Sequence, residues 1–208
     1  LGVISIYFII IQPIAIGTYC TICLMAALAM LIMIPFSLDE IVAMVQFMVW
    51  NTRRGRPFWR AFFRGDALPG GTTGGEMSFD AQPMQIFRQS ARGVTVPWTL
   101  GLSAAIGVFL MLSRAIFGNE AAMANSDHLL GALVLTTAVI AWAEVARPLR
   151  FLNILFGLWL LIAPWFLGGG TVAGSLVRLL AGIALIALSL PRGKRSEEHY
   201  GSWDRFII

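Results

Sequence analysis

The chain has 208 residues, 58% of them hydrophobic and only 12% charged, with 15 Lys and Arg against 11 Asp and Glu. Its mean hydropathy is +0.78. That balance excludes an ordinary soluble domain and reads as an integral membrane protein. In such a chain basic residues report orientation first, and nucleic acid is not an expected partner.

In chain order, the first apolar segment covers residues 3–16 and is interrupted by Pro13. It lacks the basic leader and small-x-small site of a signal peptide, and reads as the later part of a spanning helix. The second covers 19–36 and opens on Cys20 and Cys23, the two cysteines of the chain. Three residues is close to one helical turn, so both thiols can share a face. Ser37-Leu38-Asp39-Glu40 then matches a capping box, which predicts a new helix over 38–50. That helix is too short to span and ends in Trp50, so it is expected to lie at the membrane interface.

Residues 51–91 read as a basic, Gly-rich linker. Arg53-Arg54-Gly55-Arg56-Pro57-Phe58-Trp59-Arg60 is a topology determinant suited to anionic lipid headgroups. Gly70-Gly71-Thr72-Thr73-Gly74-Gly75 lacks the Lys-Ser/Thr of a phosphate loop and reads as flexible chain. Four further apolar segments follow at 96–117, 128–145, 149–167 and 172–190. Segments of about 17–22 residues match a roughly 30 Å hydrocarbon core. The expected fold is an all-α integral membrane protein with about six transmembrane helices and one interfacial helix. Residues 191–208 form a tail whose apolar end, Phe206-Ile207-Ile208, either docks or frays.

In a six-span topology, thirteen of the fifteen basic residues fall on one side; Arg114 and Arg178 do not. The positive-inside rule makes that side cytoplasmic, together with the C-terminus. The expected location is the bacterial inner membrane, with Cys20 and Cys23 on the periplasmic side, where disulfides persist. Arg178 lies within the last span, where a charge is costly; snorkelling or pairing inside the bundle is expected. Glu144 and Arg114 are expected to reach headgroups.

The second half repeats. A shift of 50 residues places Gly107 on Gly157 and Gly118 on Gly168, and a shift of 51 places Gly131 on Gly182. Two duplicated two-helix hairpins are therefore expected, packed through small residues such as Gly101, Ser103, Ala104, Gly107, Ala181 and Gly182. Ala163-Pro164-Trp165, ahead of a Gly-rich turn, resembles the bacterial SPW repeat family over about residues 92–190. Ala163 stands where the motif has Ser, and the first unit reads Ser113-Arg114-Ala115. The resemblance implies a membrane module without established catalysis.

The junction from Ile11-Gln12-Pro13 through Cys20-Thr21-Ile22-Cys23 resembles the last helices of the vitamin K epoxide reductase family, over about residues 1–36. That resemblance implies electron transfer from thiols to a quinone, with Cys20 and Cys23 as the pair nearest the quinone. Helix N-termini lower thiol pKa values. On that geometry Cys20 exchanges with a partner thiol and Cys23, one turn deeper, faces the quinone. The family's second cysteine pair, its earlier helices and a thioredoxin-like domain do not occur in these residues. The residues themselves fix no cofactor; quinone is the one the resemblance implies. A c-type haem would need His where Leu24 stands. No metal site is expected, because nothing fixes His128, Glu120 and Asp127 near the thiols. The leading expectation is a non-catalytic membrane subunit, descended from a thiol oxidoreductase and packed among other integral membrane subunits and lipids in a respiratory or photosynthetic complex. The alternative is a quinone-linked thiol–disulfide oxidoreductase, incomplete in this chain.

Overall fold

The computed structural model describes residues 2–18, 20–66, 82–84, 91–194 and 196. The Gly-rich stretch 70–75 and the apolar end 206–208 lie outside the described residues. The described residues are helical throughout, apart from connecting turns and one isolated bridge between Val94 and Ala143.

Helix α1, Gly2–Ile11, runs into a π-helical turn, Gln12–Ile16. Pro13 has no N–H to donate, so the ladder is interrupted there. The register widens, and the Gly17 N–H reaches the Gln12 carbonyl five residues back at 3.1 Å. Gly17 ends the turn at φ 75, a left-handed position that glycine takes without strain.

Helix α2, Thr21–Arg53, is continuous over 33 residues, about 50 Å at 1.5 Å per residue. This overturns the expected separate interfacial helix over 38–50. Ser37 does not cap a new helix; its hydroxyl donates back to the Ile34 carbonyl at 2.9 Å. Propagating a helix adds one bond per residue, whereas starting another costs a nucleus. The second half of α2 also has its own buried anchors, Met48 and Asn51. Pro35 is accommodated within the helix. A short helix, α3, Phe58–Arg64, follows within the basic segment that reads from sequence as linker.

The third apolar segment is two helices, α4, Trp98–Met111, and α5, Ser113–Phe117, which meet at Leu112. Helix α6, Ala121–Ile140, begins seven residues before His128. Val145, the expected end of that span, belongs instead to a 3₁₀ turn, Glu144–Phe151. Helices α7, Leu152–Phe166, and α8, Val172–Ser189, are the last of the described helices. Among the described residues, four segments can cross a bilayer by length and composition: Thr21–Arg53, Ala122–Ile140, Glu144–Phe166 and Val172–Ser189. Ile6–Ile16 and Trp98–Met111 are apolar but shorter.

Helix α4 packs along α6, and α7 along α8, which gives the two expected hairpins. Their backbones meet at glycine pairs. A Cβ on Gly131 would lie 2.5 Å from the Gly107 carbonyl oxygen, and one on Gly157 would lie 2.7 Å from that of Gly182. The 50- and 51-residue shifts thus superimpose one contact on another: Gly107 with Gly131, Gly157 with Gly182. Leu110, Leu130, Val134, Leu160, Ala181 and Leu185 join the hairpins in one buried cluster. Helices α1 and α2 pack on each other and against α6.

Replacing Gly131 with Ala should separate α4 from α6 and cost about 1–3 kcal/mol, as overpacking typically does. Gly101→Ala, where nothing lies within 4 Å of the added carbon, should be neutral or slightly stabilising. Thermal unfolding in detergent micelles checks both.

Candidate functional site

Cys20 is the N-cap residue of α2, held at an extended φ of −89 and ψ of 113, and Cys23 lies in the first turn. The pair therefore straddles the helix start. The Cys23 backbone N–H donates to the Cys20 sulfur at 3.4 Å. The Cys20 N–H donates to Oε1 of Gln12 at 3.3 Å. Gln12 is itself buried in the π-helical turn, so the turn that Pro13 causes also fixes the residue that tethers Cys20. Both cysteines are exposed free thiols. Hydrogen bonds from the Cys23 side chain, and then from its backbone N–H, hold the Cys20 thiol below the ordinary cysteine value. The helix N-terminus favours the thiolate in the same sense. Gln12 escapes a reading of the cysteines alone; its signal is a lone amide beside proline in an apolar run.

An apolar cavity of about 160 Å³ begins at Leu24, next to Cys23 and one turn along α2 from Cys20. Ile9, Leu24, Leu28 and Leu31 line it from α1 and α2, and Leu135 and Thr136 from α6. The Thr136 hydroxyl is turned to the Ala132 carbonyl at 2.7 Å, which leaves the wall apolar. The hollow is partly open, with Leu28 half exposed, and its volume is of the order that holds a benzene ring in an apolar cavity. The described residues thus offer space for a six-membered ring and no charge to hold it.

Arg178 is buried, with 1% of its surface exposed. It pairs within the bundle, as expected, and its partner is Asp127. Nε donates to Asp127 Oδ1 and Nη2 to Oδ2, each at 2.7 Å. Ser113 Oγ at 2.9 Å and Asn119 Nδ2 at 3.1 Å complete the shell of Oδ2. The two ions stand 51 residues apart, the shift that relates Gly131 to Gly182. They occupy equivalent places in the two hairpins and meet between them. That shift was the available sequence signal for the partner. His128, the next residue, places Nε2 3.2 Å from the Ile9 carbonyl and so ties α6 to α1.

Glu144 does not reach headgroups as expected. It is fully buried, and its carboxylate accepts from the Thr95 hydroxyl and from the backbone N–H and hydroxyl of Ser196. The sequence hid this because its partners lie about 50 residues away on both sides. Arg147 is likewise buried and donates to the carbonyls of Ala141, Arg192 and Lys194.

Two measurements probe these geometries. Mass-spectrometric alkylation against pH should show Cys20 reacting at lower pH than an unstructured cysteine, and Cys23→Ala should move that midpoint upward. Asp127→Ala should cost about 3–5 kcal/mol by leaving Arg178 buried and unpaired, while Asp127→Leu with Arg178→Met should recover most of the loss in thermal unfolding.

No curated protein and no solved structure matches the chain. A family match covers residues 97–191, in keeping with the expected module over about 92–190, and does not extend to residues 1–36. The glycine-paired hairpins and their shared ion pair lie within it: residues 97–191 are an SPW repeat domain.

Proposed function

We propose that the chain is a membrane thiol–disulfide oxidoreductase of the vitamin K epoxide reductase type, whose redox helices are docked on an SPW packing module. The observation that carries this reading is the N-cap geometry of Cys20. Its sulfur takes the Cys23 N–H, its thiol is shifted toward the thiolate, and an apolar cavity opens one turn away. Inert cysteines in apolar helices have no need of an exposed cap position.

In the oxidised pair, a partner thiolate attacks Cys20 Sγ. The Cys20–Cys23 bond breaks, and Cys23 leaves as a thiolate that takes up a proton. A second partner thiolate then attacks the partner's sulfur in the mixed disulfide and releases Cys20, whose lowered pKa makes it the better leaving group. Two electrons now rest on the cysteine pair, with one proton on Cys23 and a second taken up from water by Cys20. Reforming the disulfide gives them up, the stoichiometry that converts a quinone to a quinol. The cavity between Leu24, Leu28 and Leu135 would hold the ring, and the exposed side of the pair would meet the partner. In the bacterial inner membrane this site would face the periplasm, with the basic segments and C-terminus cytoplasmic.

A second reading rests on a different observation. The SPW domain turns its strongest charges inward, Asp127 on Arg178 and Glu144 on Ser196, and leaves Trp165 and Phe166 outward. Such a surface suits a non-catalytic subunit packed among other membrane proteins. Native purification with mass spectrometry would then return the chain with stable integral membrane partners.

The test of the first reading uses the chain in lipid nanodiscs, reduced and then mixed with a short-chain quinone. One quinol should form per chain, read by ultraviolet absorbance, while a Cys20–Cys23 disulfide appears by mass. Cys20→Ala and Cys23→Ala should each lower the rate at least a hundredfold. Quinone reduction that survives Cys23→Ala would sink the assignment.

A further inference from the structure

Helix α3 sits at the far end of α2 from the thiols, about 50 Å away along the 33-residue helix. One residue, Ala61, is buried, and α3 packs on α2. Its aromatic residues turn outward: Phe58, Trp59, Phe62 and Phe63 are exposed, Trp59 by 67% and Phe63 by 75%. They touch one another in sequence, with Phe58 stacked on Phe62 and Trp59 on Phe63, so the rings form one apolar block. Around it stand Arg53, Arg54, Arg56, Arg60 and Arg64 against a single acid, Asp66, a net of four positive charges in residues 53–66. Asp66 is engaged by Arg56. Arg56 and Arg60 border a polar hollow of about 370 Å³ beside Gly65.

We propose that α3 is a docking surface for the headgroup layer of an anionic phospholipid bilayer, with its rings among the acyl chains and its arginines on lipid phosphates. Charge complementarity selects an anionic partner, and the four exposed rings select one that also offers an apolar phase. A soluble acidic peptide would answer the arginines and leave the rings in water. Helix α3 would thereby hold the C-terminal end of α2 at the headgroup layer, with the exposed Ile41, Met44, Val45 and Val49 facing lipid.

The test uses the whole chain in zwitterionic micelles, titrated with phosphatidylglycerol, phosphatidylcholine or inorganic phosphate, with bound lipid counted by native mass spectrometry. Phosphatidylglycerol should bind preferentially and raise the unfolding temperature. Arg56→Gln, Arg60→Gln and Arg64→Gln should each weaken that binding by roughly fivefold. Arg114→Gln, an exposed arginine elsewhere, should leave it unchanged. Quenching by brominated phosphatidylglycerol, read as the difference between the native chain and Trp59→Phe, should place Trp59 in the bilayer without altering a charge. Equal affinity in the variant that combines Arg56→Gln, Arg60→Gln and Arg64→Gln, the same stabilisation from inorganic phosphate, displacement of the lipid by an equimolar polyglutamate peptide, or an unquenched Trp59 would each overturn the proposal.

Discussion

Lipid tails are as apolar as leucine, so helices within a bilayer gain little from burying leucine against leucine. Association depends on how closely two backbones can approach. In the SPW domain that approach is set at two places, Gly107 against Gly131 and Gly157 against Gly182, where any side chain would strike a backbone oxygen. The rest of the domain follows from these contacts. They fix the register of each hairpin, the register brings Leu110, Leu160 and Leu185 into one cluster, and that cluster holds Asp127 opposite Arg178.

Burying that ion pair costs desolvation that its mutual attraction only partly offsets. Hydrogen bonds offset part of the cost: Ser113 and Asn119 serve the carboxylate, and Asn119 in turn accepts from the Thr171 N–H at the cap of α8, while Arg178 Nη1 has no partner among the described residues. Glu144 and Arg147 play the corresponding part elsewhere, tying the segment before α4 to the segment after α8. Both groups join residues about 50 apart, so they close the domain rather than stiffen any one helix.

Much of this was legible in the sequence, for a physical reason. Helices that must touch in lipid leave glycines at fixed intervals, and the 50- and 51-residue shifts report those intervals directly. The cysteine pair was equally plain, since few residue types carry redox chemistry. Besides the burial of Glu144, three features were not legible. The continuity of α2 was hidden because Ser37-Leu38-Asp39-Glu40 satisfies a capping pattern, while propagation of an existing helix outweighs it. Helix α3 lies in a stretch whose composition reads as linker, and its place is decided by Ala61 packing on α2. The tether from Gln12 to Cys20 depends on a π-helical turn, and no periodicity in the chain announces one.

The ion pair carries a consequence for how such a domain can arise. Two identical hairpins related by a twofold axis set each residue on that axis against its own copy. Aspartate would then face aspartate, or arginine arginine, in a dry interior. Residues 127 and 178 are matched by the 51-residue shift, meet each other across the two hairpins, and carry opposite charges. Each hairpin has therefore lost the option of pairing with itself. What began as interchangeable halves has become a lock and its key, and neither half can be swapped, doubled or removed without stranding a charge inside the membrane.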